Sequence, residues 1–421
     1  MVDHQKSMGC KTGLVALLVL LLVSPICLYG SKKKKAADAP TASFPTSGIG
    51  VDISKLDTSK LVWPDPPAIT RIKWLNYFAG MKIDHSTPAQ QKKKASWMDR
   101  MAGTQEKAPE QVLKEFPWQL IGPYGIAIDS KGLVYVADQK VGAVFIFNTE
   151  TRDVQLIRNG YEAHFGWING LAIDDADRLF VSDGKLHHVV VFNSKHKVEA
   201  KIEEGLQDPV GIAIDKENRF LYVVDTQQDQ VLVYDADTYK LLRRMGKGGQ
   251  KHALTDAGNF AAPSNVAVDK DGNVYVTDTL NDRVEIFDAD GGFISTFGKN
   301  GDSIGCFARP KGIAVDGDGH IWVADEMLDR IQIFTKEAQP LGFVGGHGNL
   351  PGQFKALVGV AVDKDNRVFT TEQYPGRMQM FRYFSDAEAD AEKARREKEA
   401  SDAREQKSAA ATSTPAAQAP Q

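Results

Sequence analysis

Three sets of residues in this 421-residue chain could do chemistry. The first pairs an acid with an arginine five positions later: Asp278 with Arg283, Asp325 with Arg330, and Glu372 with Arg377. A carboxylate ending one strand can meet a guanidinium starting the next across a hairpin, which holds a fold together rather than moving protons. Truncating Arg283 or Arg330 is therefore expected to cost about 1–3 kcal/mol. The second set is Asp-x-Asp-Gly, at positions 269–272 and 316–319. It lacks the glutamate that completes a calcium loop, so it reads as a turn in which Asp binds backbone N–H groups and Gly takes the left-handed position.

The third set consists of aromatic, amide and imidazole side chains in connecting segments: Tyr124, His164, Phe165, Trp167, Asn169, His187, His188, His347 and Tyr374. Histidines without ligand spacing read as surface residues, and His187 and His188 within one strand would face opposite ways. No metal and no cofactor is expected. The better reading is a binding face, with Tyr124, Phe165, Trp167, Asn169, His188, His347 and Tyr374 as contacts, because Tyr and Trp anchor interfaces. Packing between neighbouring units is the competing role for Trp167. No Ser-His-Asp or Cys-His arrangement is legible, so no catalytic residue is assigned, and Cys306 reads as inert.

These residues must be positioned by a repeat that runs through the chain. It consists of Pro-x-Gly-Ile-Ala-Ile-Asp, a turn, an aromatic-Val strand ending in an acid, a second turn, and an alternating strand ending in Phe. The clearest copies span 263–287 and 310–334; others begin at Pro123, Ile168, Pro209 and Leu357. Their first strands close on Asp129, Asp174, Asp215, Asp269, Asp316 and Asp363, which are 41 to 54 positions apart. Several short strands at a period of roughly 40–45 residues mark propeller blades. The predicted fold is all-β, a six-bladed β-propeller over residues 69–384. Inner strands should be covered on both faces, and third strands should alternate toward the rim.

The sixth copy lacks a fourth strand, while residues 69–80 have a fourth-strand pattern and belong to no copy. Donating that segment to the last blade would remove two open sheet edges. Residues 385–421 are Ala-rich with mixed charge and no apolar stripe, which predicts an exposed helix or a disordered tail. At the other end, residues 13–30 are uncharged and mostly apolar, intermediate between a signal-peptide core and a spanning helix. A cleaved signal, a retained anchor and lipidation at Cys27 stay open. Lys32 to Lys35 favour retention inside, but export is the expectation, with a flexible tether over residues 31–68 and the propeller outside the cytoplasm.

A formal net charge of −4 and a pI near 6.2 give no reason to expect nucleic acid. Lys240, Arg243, Arg244, Lys247 and Lys251 form a local basic run that reads as a solvated surface. A monomer is expected.

The pattern Pro-x-Gly-Ile-Ala-Val-Asp, then (Val/Ile)-(Tyr/Trp)-Val-(Ala/Thr)-Asp, then Asp-Arg-(Val/Ile)-x-Ile-Phe, matched at almost every position by the two clearest copies, resembles the NHL repeat. The flanking segments at residues 63–80 and 92–103 are similar to the lead-in of exported bacterial NHL proteins. The resemblance implies a binding platform for a protein or peptide partner in the cell envelope. A minority of such propellers are metal-dependent lyases with histidines near the inner-strand starts, which makes a lyase or hydrolase at the channel mouth the alternative. At the x of Pro-x-Gly this chain has Tyr124, Asn169, Val210, Ser264, Lys311 and Val358, and no histidine.

Overall fold

The protein is described from a computed structural model, covering residues 56–65, 68–81, 118–247, 256 and 258–412, with side chains to residue 402. The apolar run at 13–30, Cys27, Lys32 to Lys35, residues 92–103, Lys251 and most of the tether lie outside the described residues. Six antiparallel sheets follow one another along the chain. Blades 1 to 5 each have four strands in sequence order: β3 (Pro123–Ile128) to β6 (Val154–Arg158), β7 (Ile168–Ile173) to β10 (Val198–Ile202), β11 (Pro209–Asp215) to β14 (Leu241–Met245), β15 (Pro263–Val268) to β18 (Phe293–Phe297), and β19 (Pro310–Val315) to β22 (Pro340–Gly345).

Blade 6 contains β23 (Leu357–Val362), β24 (Arg367–Glu372) and β25 (Arg377–Tyr383). Its outer strands come from the other end of the chain. Strand β2 (Ile72–Phe78) pairs with β25, from Ile72 opposite Tyr383 to Phe78 opposite Met378. Strand β1 (Val62–Trp63) adds a fifth position beyond β2, and its Trp63 ring meets Phe381 edge-on at 5.9 Å. The chain is thus an all-β, six-bladed propeller.

Burial follows radius, with one departure from the sequence pattern. Third strands are buried along most of their length, and throughout in Ala143–Phe147, His188–Phe192 and Arg283–Phe287, rather than alternating. Face-to-face packing of blades extends that far out, and exposure begins only at fourth strands such as β18. Between blades the core is aliphatic and aromatic, with Phe145, Phe180, Phe192, Trp322, Phe334 and Phe369 almost fully buried.

The acids ending the second strands, Asp138, Asp183, Asp225, Asp278, Asp325 and Glu372, have no exposed surface. All six accept backbone N–H groups from the loop entering the same blade's inner strand. Asp138 takes Ile121 and Gly122 at 2.6 and 3.0 Å, and Asp325 takes Ala308 and Arg309 at 2.8 and 3.2 Å. Each acid therefore pins one loop on the face where ligands approach a propeller. Turn aspartates act similarly on the opposite face: Asp269 accepts from Asp271 and Asn273 at 2.9 and 2.8 Å.

The arginine pairs divide. Arg283 Nε donates to Asp278 at 2.8 Å, and its guanidinium also lies 3.0 Å from Glu285. Arg377 grips Glu372 with both Nε and Nη2. Arg330, contrary to the sequence expectation, does not join Asp325. Its Nη2 donates to the Ser303 carbonyl at 2.9 Å, and its guanidinium sits over the Phe343 ring at 5.3 Å. The third strands differ as well: Glu285 supplies a second carboxylate to Arg283, whereas Gln332, at the matching place, donates to the Cys306 carbonyl and accepts from Gly305 N–H. Blade 6 has Gln379 at that place and keeps its Arg377–Glu372 pair, so this residue alone does not decide the pairing.

The helix α1 (Asp386–Thr412) leaves blade 6 through a capping box: Ser385 N–H donates to Glu388 at 2.9 Å, and Glu388 N–H returns to Ser385 Oγ at 3.4 Å. Arg382 and Arg71 hold its first turn through Glu388 and Asp386. No helix among the described residues is long and apolar enough to cross a membrane.

Arg283→Ala strands two fully buried carboxylates and should cost about 3–5 kcal/mol, while Arg330→Ala should cost about 1 kcal/mol. Equilibrium denaturation of the two variants measures the difference, and equal losses would contradict the assigned pairing.

Candidate functional site at the channel mouth

Every inner strand has an irregular register just after its first residue, as between Pro123 and Ile126 or between Pro310 and Gly312. A bulge frees a residue from the ladder and re-aims its side chain. Here the freed residue is the x of Pro-x-Gly. Tyr124, Asn169, Val210, Ser264 and Lys311, from five blades, line one pocket of about 400 Å³. The same pocket is walled by Trp167, Asp208 and Arg309 from the loops pinned by the buried acids.

Side chains tie the inner strands together around this mouth. Asn169 accepts from Gln139 at 2.6 Å and donates to the Pro209 carbonyl at 3.0 Å. Thr226 donates to Pro263 at 2.7 Å and Thr371 to Tyr124 at 2.6 Å. Around blade 5, Ser264 and Thr277 donate to the Lys311 carbonyl at 3.1 and 3.0 Å, and Thr279 to Pro310 at 2.8 Å. The backbone that carries Lys311 is therefore held by three hydroxyl groups.

The Lys311 side chain is not held. It makes no hydrogen bond and no ion pair among the described residues, and burial pulls its pKa below the ordinary lysine value against an opposing pull from the Glu326 carboxylate, with the Arg309 cation adding a smaller push downward. Arg309 itself pairs loosely with Glu326 at 3.7 Å. On the blade 3 side, the Asp208 carboxyl also lacks a side-chain partner; burial raises its pKa, and Asp225 raises it further. Burial likewise pushes the Tyr124 phenol up, reinforced by Glu326 and Asp208.

The sequence-derived contacts scatter. Tyr124 and Trp167 lie at the pocket, Trp167 with 46% of its surface exposed. Asn169 is there too, but as a buried strand-to-strand bridge. Tyr374 stands on the rim, 60% exposed, with Lys355 Nζ 5.4 Å from its ring centre. Phe165 is a core residue between blades 1 and 2, packed on Phe192 at 6.1 Å, because it occupies the apolar slot before the inner strand. His188 is buried at the start of the third strand His188–Phe192, its pKa lowered by burial, and it does not reach the pocket. His187 sits in the turn before that strand at φ 56°, with its ring on the Gln207 carbonyl. His347 is bound to Asp329 at 2.6 Å, also away from the pocket.

A divalent metal is the group that related propeller enzymes would place here, and the residues do not fit one. The ring of freed side chains offers no carboxylate and no imidazole, and it does offer an ammonium. Among the described residues, no three or more His, Cys, Asp or Glu side chains converge.

Comparison with known proteins gives the class and stops there. Residues 168–297 match the family model described as an SMP-30/gluconolactonase/LRE-like region, and residues 255–402 match one described as a 6-bladed beta-propeller. No curated protein matches the chain. A protein of unknown function from Bacteroides thetaiotaomicron aligns at 16% identity and a TM-score of 0.52, over 62% of this chain and 70% of that one. Virginiamycin B lyase from Staphylococcus aureus aligns at 15% identity and 0.47, over 63% and 96%. A gluconolactonase from Xanthomonas campestris aligns at 15% identity and 0.49, over 64% and 90%. The protein is a six-bladed β-propeller, part of which is similar to the SMP-30/gluconolactonase/LRE-like region.

Replacing an unpaired, largely buried ammonium with an isosteric apolar chain should stabilise the fold. Lys311→Met is expected to gain roughly 1 kcal/mol at neutral pH. A lowered lysine pKa means that the charge penalty is present at neutral pH and fades as pH approaches the ordinary lysine range. The melting-temperature difference between variant and wild type should narrow in the same direction.

Proposed function

We propose that the protein is a binding platform whose loop face receives a protein or peptide partner, with no chemistry of its own. The observation that carries this reading is a crescent of exposed apolar side chains around the polar mouth. Leu280, Met327 and Tyr374 follow the buried acids of blades 4, 5 and 6 and are 54, 62 and 60% exposed; Ile121 and Trp167 continue the arc from adjoining loops. Large apolar groups clustered about a concave site, rimmed by polar residues, mark interaction surfaces. The NHL-like repeat supports the same reading. The match to an SMP-30/gluconolactonase-like region favours a second one, a hydrolase or lyase at the same mouth. Without metal ligands there, such an enzyme would depend on Lys311, Tyr124 and Asp208.

A photo-crosslinking residue placed at Met327 or Tyr374 should trap a partner in the native membrane fraction, while one at Asp365, in a turn on the opposite face, should not. Equal trapping from both faces would argue against a loop-face platform. Turnover of simple lactones by the metal-free protein, abolished by Lys311→Met, would favour the enzyme.

The location we propose is outside the cytoplasm, attached through residues 13–30, because that apolar run is long enough to engage export machinery. A reporter that works only after export, fused behind Gln421, should be active. A stable but silent fusion would mean that Lys32 to Lys35 hold the blades inside.

A further inference from the structure

Lys311 gives the platform a chemical preference. We infer that the channel mouth captures the free C-terminal carboxylate of a partner polypeptide with apolar last residues, an inference that rests on the platform reading above. The argument begins with charge. An ammonium in a pocket, without an ion pair or hydrogen bond, calls for an anion from outside. The charge of that anion is limited by its surroundings. Asp208 lies in the pocket wall and Glu326 beside Arg309, so a dianion such as a phosphate monoester would meet two carboxylates. A single carboxylate is the anion that this mouth tolerates.

Geometry then selects the source. The cavity, about 400 Å³, is at the small end of ligand pockets. A chain end can enter an axial mouth of this size with its charge foremost, whereas an internal segment must pass through the mouth twice. Trp167 and Leu280, both lining the pocket and both exposed, sit where the last side chains of an entering chain would lie. Met327 and Tyr374 extend the apolar surface outward for the residues before them. Tyr124, two blades round the ring from Lys311, offers a phenol that burial keeps protonated and that can donate to the second carboxylate oxygen. Capture of a terminal carboxylate is an established mode of peptide recognition, here with a lysine and a phenol in place of backbone donors.

The test uses the full chain and fluorescence anisotropy. Three pools of labelled hexapeptides share random apolar residues at their last three positions: one ends in a free acid, one in an amide, and one in an amide with an internal glutamate. The free-acid pool should bind, amidation should weaken binding by tenfold or more, and Lys311→Met should weaken the free-acid pool to the same degree while melting no lower than wild type. Lys311→Arg, which keeps the charge, should retain part of the affinity. Equal binding of acid and amide pools, sensitive to Trp167→Ala, would overturn the chain-end inference and leave the platform standing. The glutamate pool matching the free acid would overturn the chain-end source. Binding of no pool would overturn the inference and the platform reading together.

Discussion

Close approach of backbone to backbone around the central channel is the constraint on which the rest of this propeller depends. A Cβ built on Gly125 would lie 2.1 Å from the Asn169 carbonyl, on Gly170 2.3 Å from that of Val210, and on Gly312 2.5 Å from that of Val358. No side chain tolerates such distances, so glycine here serves proximity and not an unusual torsion. Contact at the axis sets how tightly six blades close. It also sets the diameter of the mouth, and hence the size of any group that enters. Because glycine faces the next blade, the residue before it, freed by the bulge, is left to face the opening. The same three-residue motif therefore builds the wall and chooses the lining.

One blade breaks the rule in an informative way. Blade 4 carries Asn265 where the others carry glycine, and hydroxyl groups, which also join other blades singly, are gathered at the contact between blades 4 and 5. Ser264, Thr277 and Thr279 donate to the carbonyls of Pro310 and Lys311. Neutral hydrogen bonds of this kind contribute about 1 kcal/mol each and add direction that packing alone does not. Their acceptors are the two residues that begin blade 5. The one departure in the ring thus falls next to the one cation that the ring presents, fixing its backbone while its side chain stays free.

The sequence made the blades legible because the repeat recurs with turn residues, apolar runs and acids in fixed order, and each local signal agrees with the others. It also supplied the orphan strand at residues 69–80. The site was less legible, for a reason that is geometric. Pocket residues come from five blades and so are scattered over nearly 190 positions of chain, from Tyr124 to Lys311. The usable signal was the x of Pro-x-Gly, which names the lining directly; reading it only for histidines passed over Lys311. Phe165 and His188 were taken for surface residues because loops carry both aromatic and imidazole groups. Their places in the repeat, an apolar slot and a third-strand start, would have marked them as core. The five-residue spacing is the same in all three acid–arginine pairs, yet only Arg283 and Arg377 reach their acids, so spacing alone did not place Arg330.

Charge placement gives the last step. Where this fold buries charge for structure, it supplies partners: Arg283 has two carboxylates, Arg377 clasps Glu372, and Arg178 meets Asp174 at 2.8 Å. Lys311 departs from that pattern, in a pocket, with its backbone already fixed. A group kept at a stability cost is the usual mark of a site shaped by binding rather than folding. Rigidity at the backbone lowers the ordering entropy that a ligand must offset, and a counter-charge in contact is what the proposed ligand would bring, because Glu326 acts on Lys311 only at a distance. The arrangement is a half-made ion pair, stable enough to wait and incomplete until occupied.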